Sequence, residues 1–488
     1  MKIHNTLTRK TEEFIPIEEN KIRMYVCGPT VYDYMHIGNA RPLVVFDTFK
    51  RYVKFRGYDV TYVVNFTDVD DKIINKSIAE GITTKEVTDK YIKIFMEDAA
   101  DLNLDEESTI HPRATEVMDE IIEFVENLIK KDAAYEVDGD VYFRVSKAND
   151  YGKLSGKNVE DLVHGASNRL ESKDASKKES PLDFALWKKT KKEGEVSWDS
   201  PWGKGRPGWH IECSTMNKKI LGDTIDIHAG GEDLEFPHHE NEIAQSEALN
   251  EKTFANYWMH NGMIQVDGTK MSKSLGNFFT LHDIKEKYDL MVVRFWLLTT
   301  NYCQPINFTR EIIEGASNSL DRINNAVFRL EELLENASEG ELRDQEQALI
   351  DELSGFRQRF IEVMDDDLNT ADAITVLFEL VKFSNTKVSQ DNSKDLIKAV
   401  LDELVELETV LGIENRKKSN EGVNESEILD LIDQRNKAKA DKDYEKADQI
   451  RDELKAMGVA IKDTREGVKW ELILSLIHIS EPTRPRLI

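Results

Sequence analysis

The stretch IRMYVCGPTVYDYMHIGNARPLVVFDTFKRYVKFRGYDVTYVVNFTD, residues 22–68, decides the fold class. Its first seven residues, IRMYVCG, predict a short β-strand that ends in a Gly-Pro turn. Residues 40–57 have apolar side chains at helical spacing and stop at a glycine, and residues 59–68 are rich in β-branched side chains. Strand, turn, helix and strand in this order predict a parallel α/β sheet.

Length and composition limit the kind of protein this is. The 488 residues, 40% of them hydrophobic, are too many for one core and predict about three to five folding units. No apolar run approaches the roughly 18 residues of a membrane span, and the polar start MKIHNTLTRKTEEF predicts no secretory signal. Three dispersed cysteines argue against a disulfide framework and for a reducing, cytoplasmic setting, with Cys303 expected to be structural.

The charge balance restricts the possible partners. The net charge of −27 favours solubility and disfavours non-specific binding to nucleic acid. Any RNA partner therefore needs a local basic face, with the remaining negative field repelling wrong sites.

Two short motifs point to a nucleoside triphosphate. His36-Ile37-Gly38-Asn39 lies between the end of a strand and the start of a helix, where open α/β sheets bind ligands and free N–H groups favour phosphate. The segment KMSKS, 270–274, follows an Asp-Gly turn, and its lysines and hydroxyls suit a pyrophosphate that gains charge as it leaves. On its own, the first motif also fits a turn histidine before a helix, and the second also fits a solvated basic loop. Together, about 230 residues apart, they resemble the paired ATP motifs of class I aminoacyl-tRNA synthetases.

Cysteine, histidine and glutamate positions offer a candidate metal site. His238 and Glu242 are four residues apart in FPHHENEIAQSE, a helical stretch opened by a proline, so both can face one metal, whereas His239 points about 100° away. Cys27 ends the first strand, and Cys213 lies at a strand-to-helix passage. Two thiolates, an imidazole and a carboxylate suit zinc, but the dispersed spacing equally allows cysteines that are buried filler.

Five segments together resemble the cysteinyl-tRNA synthetase family. They are CGPTVYDYMHIGNAR at 27–41, NFTDVDDKI at 65–73, GRPGWHIECS at 205–214, DIHAGGEDLEFPHHENEIAQSE at 226–247 and KMSKSLGN at 270–277. Weaker similarity in KADQIRDELKAMGVAIKDTREGVKW, 446–470, extends the resemblance nearly to the end of the chain.

The resemblance implies roles for individual residues. The implied zinc ligands are Cys27, Cys213, His238 and Glu242. The implied ATP-binding residues are His36, Gly38, Asn39 and Lys273, of which His36, Asn39 and Lys273, together with Lys270, are the implied catalytic residues. The amino-acid pocket is implied to contain Gly28, Thr67 and Trp209. One departure is visible, because the family's first motif often ends in a second histidine where this chain has Asn39, whose amide can still donate to a phosphate oxygen.

The resemblance also implies an activity. A monomer with no membrane attachment is expected to activate L-cysteine with Mg-ATP, form cysteinyl-adenylate, and transfer cysteine to the 3′ end of tRNA(Cys). Zinc is expected to bind the substrate thiol and so to select cysteine against serine. The alternatives are a ligase that joins cysteine to an amino sugar on the same core, which lacks an anticodon-binding end, and a catalytically silent paralogue that only binds RNA. KIINK, 72–76, further resembles a lysine motif tied to a pyridoxal-phosphate-dependent persulfide activity, although solvated helix charges explain it equally.

Changes in composition and periodicity along the sequence set the predicted domain boundaries. The names of the domains come from the resemblance. We predict a Rossmann-like catalytic domain in two halves, a connective insertion, a KMSKS loop and stem-contact region, a helical bundle and a small anticodon-binding domain. In chain order these are 1–131, first catalytic half; 132–200, insertion; 201–265, second catalytic half; 266–315, KMSKS loop and stem contact; 316–415, helical bundle; and 427–470, anticodon-binding domain.

The end of the chain carries two further expectations. The anticodon-binding domain is expected to begin with one charged helix over 430–458, which either contacts RNA phosphates or is merely solvated. Its candidate contacts are Arg435, Lys437, Lys439 and Lys442, with Trp470 as a base-stacking residue. The tail LSLIHISEPTRPRLI, 474–488, resembles the translated adapter of a sequencing library, and we interpret it as an assembly artefact outside the fold.

Overall fold

The structure is a computed structural model. It describes residues 1–158, 177–191, 195–271, 277–337, 342–414, 425–440, 443–456, 459–464 and 467–472. The chain divides into two compact units, Met1–Glu414 and Asn415–Ile488. Lys273, Lys442 and the tail at 474–488 lie outside the described residues.

The strands, numbered along the chain, are β1 Lys2–Asn5, β2 Lys10–Glu13, β3 Lys21–Val26, β4 Asp59–Val64, β5 Thr109–Ile110, β6 Ala134–Val137, β7 Asp140–Phe143, β8 Phe184–Lys189, β9 Gly205–Pro207, β10 Ile225–Gly231, β11 Ala255–Asn261, β12 Ile264–Val266, β13 Thr269–Lys270, β14 Ile306–Phe308, β15 Val459–Thr464 and β16 Gly467–Leu472.

The α-helices are α1 Ile37–Phe55, α2 Asp71–Glu80, α3 Thr84–Asp101, α4 Met118–Lys130, α5 Trp209–Leu221, α6 Glu240–Asn250, α7 Leu281–Lys285, α8 Leu290–Leu298, α9 Arg310–Glu335, α10 Asp344–Asp365, α11 Thr370–Lys387, α12 Lys394–Leu411, α13 Glu425–Ala440 and α14 Tyr444–Ala456. None of these helices, which come from the described ranges alone, combines the length and apolar character needed to cross a membrane.

A five-stranded parallel sheet forms the centre of the first unit, as the α/β pattern predicts. The strand order is β11-β10-β3-β4-β5. β3 and β4 pair from Lys21 opposite Asp59 to Val26 opposite Val64. β10, far along the chain, pairs with the other side of β3. Because all five strands run in one direction, the residues that follow β3, β4 and β10 meet at one edge, where such sheets bind ligands.

The crossover helix α1 begins three residues before the predicted start at residue 40. The reason is the side chain of His36, which caps the helix by accepting a hydrogen bond from the Asn39 amide at 3.2 Å. Histidine is not among the usual capping residues, so capping preferences do not predict a helix start there. The helix then buries its apolar residues against the sheet and the rest of the core.

Between the two halves of the parallel sheet, the chain forms a separate antiparallel sheet of order β6-β7-β8-β9. The predicted strand pair around the Asp138-Gly139 turn is β6 and β7, and both turn residues have positive φ. This left-handed backbone matches the twist of a two-residue hairpin.

Helices α9 to α12 follow, as the helical periodicity predicts, and a buried arginine joins them to the parallel-sheet domain. Arg294 on α8 donates to Asp47 Oδ2 on α1 at 2.7 Å and to the Leu411 carbonyl at the end of α12 at 2.9 Å. A left-handed residue, Gly412 with φ +65°, ends that helix directly against the guanidinium.

The second unit contains α13, α14 and the antiparallel pair β15–β16. The expectation of one helix over 430–458 is wrong, because α13 ends at Ala440 and α14 begins at Tyr444. The side chain of Asp443 accepts a hydrogen bond from the Lys446 amide at 3.1 Å. Aspartate at this position caps a new helix. Periodicity alone predicts one continuous helix because it does not register this cap.

We expect Gly412→Ala to destabilise the protein more than Gly81→Ala. Both glycines cap helices in the left-handed region, with φ +65° and +69°, so both substitutions carry the backbone cost of about 1–2 kcal/mol. A Cβ at 412 would also lie 2.3 Å from Arg294 Nη2, whereas a Cβ at 81 meets nothing within 4 Å. Thermal unfolding of both variants checks this, and equal midpoints would contradict the Arg294 contact.

Candidate active site

The first predicted phosphate motif lies beside Met271, the second residue of the other motif, and beside residues 279–281, which follow that motif in the chain. The Ile37 amide donates to the Phe279 carbonyl at 3.2 Å, and the Leu281 amide donates to the Met35 carbonyl at 2.8 Å. A Cβ on Gly38 would lie 3.3 Å from Cε of Met271, in the second motif. The fold thus brings together two segments that are far apart in sequence. The side chains of Lys270 and Lys273 are outside the described part of the structure.

His36 and Asn39 form the first turn of α1. Besides capping the helix, the His36 ring packs against Phe278 with ring centroids 4.9 Å apart. The first helical turn contains no acidic residue, so its N–H groups and dipole can attract an anion. Next to them lies a pocket of about 140 Å³, also lined by Tyr32 and Lys72. Phosphate binding at this end of α1 is consistent with that geometry.

The predicted amino-acid pocket residues Gly28 and Thr67 are linked through Asn65. The Gly28 amide donates to Asn65 Oδ1 at 2.9 Å, and Asn65 Nδ2 donates to Thr67 Oγ1 at 3.3 Å. A Cβ on Gly28 would lie 1.8 Å from the Asn65 carbonyl oxygen, so only glycine fits there. Sequence reasoning did not single out Asn65, although its position directly after β4 at the ligand-binding edge was a usable signal.

The four predicted metal ligands converge on one point. Cys27 follows β3, Cys213 lies on α5, His238 precedes α6, and Glu242 lies on α6. Their ligand atoms all lie within 4.8 Å of one another, and all four residues are buried. Glu242 Oε1 is 3.1 Å from His238 Nε2 and 3.4 Å from Cys27 Sγ.

The charges within this cluster stabilise each other. Burial raises the pKa of the Glu242 carboxyl, but His228 and His238 outweigh it and lower that pKa to about 2. Burial lowers the pKa of His238, but the Glu242 carboxylate raises it to about 10. A hydrogen bond from Cys27 lowers the pKa of Cys213, while burial raises the pKa of Cys27. Without a metal, therefore, the cluster holds protons on His238 and Cys27.

His239 approaches the cluster more closely than regular helix geometry predicts. Its Nε2 atom lies 3.3 Å from Cys27 Sγ. The expected orientation about 100° away assumed a continuous helix, but residues 235–239 form a π-helical turn with Phe236 in an extended conformation. Cys27, His228, His239 and Glu242 consequently form a second set whose ligand atoms also lie within 4.8 Å of one another.

Hydrogen bonds distinguish the second set from the first. His239 Nδ1 is 2.8 Å from His260 Nε2, and His260 Nδ1 is 2.8 Å from Thr6 Oγ1. Burial lowers the pKa of both histidines, to about 3 for His260, so both are neutral. His228 stacks on Trp258 with centroids 4.5 Å apart. These histidines form a hydrogen-bonded layer behind the first set, of the kind that orients metal ligands. Sequence spacing gave no sign of this layer.

Trp209 lies where the cluster meets solvent. Its side chain is 38% exposed, and its ring centroid is 4.1 Å from that of His238. Behind it, His210 Nδ1 lies 2.9 Å from His238 Nδ1. The partly exposed indole thus lies directly beside the buried cluster.

The donor set suits zinc or a similar divalent ion. Two sulfurs, one imidazole nitrogen and one carboxylate oxygen, all buried and within 4.8 Å, meet the requirements of a four-coordinate site. Thiolate donors favour soft or borderline ions over Mg²⁺ or Ca²⁺. The geometry therefore fits the predicted metal type.

The predicted RNA contacts of the second unit differ in their surroundings. Arg435 is 5% exposed in the second unit. Lys437 is exposed and lies 2.6 Å from Asp433. Trp470 pairs with Ile461 in the β15–β16 ladder. In the first unit, Lys76 lies over the Tyr91 ring at 4.5 Å and pairs with Asp33 at 3.4 Å.

Three family models match the chain in order. Residues 13–318 match the model described as tRNA synthetases class I (C) catalytic domain. Residues 359–415 match the DALR domain, and residues 425–470 match the cysteinyl-tRNA ligase anticodon binding domain.

Whole-chain relatives are similar to this chain over nearly its full length. A cysteine–tRNA ligase of Clostridioides difficile is 55% identical over 473 residues, covering 97% of this chain and 100% of the relative. A cysteine–tRNA ligase of Finegoldia magna is 54% identical over 471 residues, covering 96% and 99%. Among solved structures, Mycobacterium tuberculosis methionyl-tRNA synthetase in complex with methionyl-adenylate has a TM-score of 0.56 at 16% identity, over 80% of this chain and 90% of that one. The last likeness supports the fold alone.

Affinity for a divalent metal should rise with pH. The raised pKa of His238, about 10, means that a metal must displace a proton there at neutral pH, and the thiol of Cys27 holds another. Raising the pH removes this competition, so we expect at least about tenfold tighter binding per pH unit between about 6.5 and 8.5. Competition with a chromophoric chelator, corrected for the chelator's own protonation, measures it. A flat profile would show that these protons do not compete with the metal.

Proposed function

The chain belongs to the cysteine–tRNA ligase family of class I aminoacyl-tRNA synthetases, and from this premise we propose which of its residues carry the reaction. The reaction activates L-cysteine with ATP, releasing pyrophosphate, and transfers cysteine from cysteinyl-adenylate to the 3′ end of tRNA. The observation that carries the proposal is the convergence of Cys27, Cys213, His238 and Glu242 at the same sheet edge as the His36 motif.

The ATP end of the site uses the first turn of α1 and the second motif. His36, Gly38 and Asn39 hold the triphosphate at the helix N-terminus, and Lys270 and Lys273 stabilise the charge that develops on the leaving pyrophosphate. The backbone pairing of Met35 to Ile37 with Phe279 to Leu281 keeps the two motifs close enough for both to contact one nucleotide. Catalysis of this kind rests on positioning and charge stabilisation.

Zinc is the metal that the cluster holds in this proposal, with Cys27, Cys213, His238 and Glu242 as ligands. This set supplies two thiolates, whereas the set with His228 and His239 supplies only one. In that second set, His239 is also hydrogen-bonded to His260. Bound zinc supplies a Lewis acid that favours the thiolate form of the substrate's side chain over an alcohol. His228 holds the second oxygen of Glu242 at 3.1 Å and so fixes the carboxylate.

Selection of cysteine against serine follows from this arrangement. The two amino acids differ by one atom, and a pocket that only fills volume discriminates by about 1–3 kcal/mol. Gly28, Thr67 and Trp209 orient the amino acid. The buried cluster beside them distinguishes a thiol from a hydroxyl on its side chain. A separate editing site is then unnecessary.

The rival ligase that joins cysteine to an amino sugar is disfavoured by the C-terminal unit. Residues 425–470 resemble an anticodon-binding domain, and such a domain has no use in a reaction with a sugar. We further propose that the chain acts as a cytosolic monomer, consistent with its three free cysteines and its net charge of −27.

Two assays test the function. Purified protein should exchange pyrophosphate into ATP in the presence of cysteine and, at equal concentration, at least about a hundredfold more slowly with serine. It should then charge purified tRNA(Cys) with cysteine. Exchange without charging would favour the sugar ligase, and charging restricted to another amino acid would refute the proposal.

We expect Cys213→Ser to lose bound zinc and cysteine-dependent exchange together. Removing one of two thiolate ligands weakens both the metal and the site that recognises sulfur, by roughly a hundredfold or more. Cys303→Ser is the matched control, because Cys303 is half-buried and belongs to neither candidate metal set. Metal content by mass spectrometry, exchange rates and unfolding midpoints are measured for both. Normal cysteine activation by zinc-free Cys213→Ser would defeat the zinc proposal.

A further inference from the structure

Three aromatic rings meet beside the first ATP motif, and none of them is among the residues assigned above to ATP, cysteine or metal. Tyr34, two residues before His36, stacks on His282 with ring centroids 4.5 Å apart and an interplanar angle of 16°. Tyr34 also contacts the ring of Tyr91 on α3, at 5.8 Å and nearly perpendicular to it. Tyr91 is buried, whereas Tyr34 and His282 are half-buried. The three rings come from segments that are far apart in the sequence.

The Tyr34–His282 stack continues the backbone pairing between the first motif and residues 279–281. His36 pairs with Thr280 in an antiparallel bridge. Tyr34 and His282 are two residues further along this antiparallel register, one on each side, so they lie opposite each other. Directly opposed aromatic side chains stabilise antiparallel pairs. The stack therefore extends a short backbone contact with a side-chain contact.

Helix α7, which carries His282, depends on its neighbours for stability. It contains only the five residues Leu281–Lys285, and an isolated helix of that length is not stable in water. Thr280 caps its start, and Lys285 pairs with the buried Asp98 on α3 at 2.9 Å. His282 lies between these two contacts. Its stack therefore anchors the helix to the loop that carries the first motif.

We infer that Tyr34 and His282 are positioning residues for the second ATP motif, because their stacked rings hold the segment after that motif against the first one. This inference rests on the proposed function, in which Lys273, nine residues before His282, stabilises the charge on the leaving pyrophosphate. Such stabilisation depends on position, since a displacement of about 1 Å costs on the order of a hundredfold in rate. Of the described residues that line the pocket beside His36, Tyr34 is one and His282 is not. His282 therefore acts on ATP through the backbone rather than by contact.

The segment before the second motif is held in a different way, by a buried charge. Arg41 on α1 is fully buried and donates to the carbonyls of Gly262 and Gln304 at 2.5 and 2.6 Å. These residues precede β12 and β14, and β12 also pairs with β13, which contains Lys270 of the motif. Replacing Arg41 would leave buried carbonyls unpaired and so would disturb folding itself. His282 is half-buried, which makes it the better residue for a test.

The test separates the ring of His282 from its imidazole nitrogens. His282→Leu removes the stacked ring, whereas His282→Phe keeps a flat ring without a nitrogen. Tyr34→Leu, alone and combined with His282→Leu, shows whether the two rings act through each other. Phe356→Leu, which removes a ring contact with Phe383 in the bundle, controls for a loss of stability.

For each protein, cysteine-dependent pyrophosphate exchange gives kcat and the KM values for ATP and for cysteine, and thermal unfolding gives the midpoint. We expect His282→Leu to lower kcat/KM for ATP on the order of tenfold and to leave KM for cysteine within about twofold of the wild type. His282→Phe should restore kcat/KM for ATP to within about threefold of the wild type. The double variant should be no slower than Tyr34→Leu, and Phe356→Leu should lower the midpoint without a change in exchange.

Several outcomes would overturn the inference. Unchanged exchange in His282→Leu, or a double variant whose loss is the product of the two single losses, would show that the stack does not position the motif. A His282→Phe variant as slow as His282→Leu would show that an imidazole nitrogen is needed instead of a ring. An equal rise in KM for cysteine, or a similar loss in Phe356→Leu, would indicate general damage to the protein. A wild-type protein without cysteine-dependent exchange would instead refute the proposed function.

Discussion

The catalytic unit is organised around one buried carboxylate. Glu242 is fully buried, and an unpaired charge in such a place costs several kcal/mol. Its two oxygens face His228 and His238, both at 3.1 Å, and this keeps it ionised. The same carboxylate contacts Cys27. Since these partners come from β10, the turn before α6 and the end of β3, satisfying one charge fixes three separate segments relative to each other. A metal bound by these ligands would displace the protons that they hold.

A second buried charge fixes the helical bundle against the parallel-sheet domain. Arg294 is fully buried and pairs with Asp47 on α1, while its remaining N–H groups donate to the carbonyls of Leu102, Asn103 and Leu411. It thereby ties the helix that carries the His36 motif to the end of α12. Removing one partner would leave an uncompensated charge, which is more damaging than the net stability of the pair suggests. The bundle is thus positioned by the catalytic core rather than attached to it loosely.

The sequence allowed the local parts of this architecture to be predicted but not the contacts between distant parts. Residues 22–68 show strand and helix periodicity directly, and the parallel sheet followed from it. The predicted metal ligands come from four separate segments. Their chemistry suggested a zinc set, but their dispersed spacing equally allowed buried filler, and the resemblance to a family favoured the metal site. His228, His260 and Asn65 were missed because their roles depend on neighbours that the fold supplies. His239 lies closer to the cluster than predicted because a π-helical turn altered the helical phase, although it is still the poorer ligand candidate. Likewise, burial of Arg435 depends on tertiary packing, which periodicity does not report.

The acidic character of the chain bears on how it selects RNA. A net charge of −27 repels nucleic acid at long range, so attraction must come from places where cations are grouped and acids are absent. Several described cations in the bundle are paired with neighbouring carboxylates, as Arg310 is with Glu314, Arg357 with Glu403 and Lys398 with Asp402. Positive charge remains only where cations have no such carboxylate nearby. Those places are the ones that can attract a polyanion. Recognition in this setting requires that several sites be engaged at once, since no single one outweighs the surrounding field. An RNA with the right shape can meet that condition, and an arbitrary polyanion cannot.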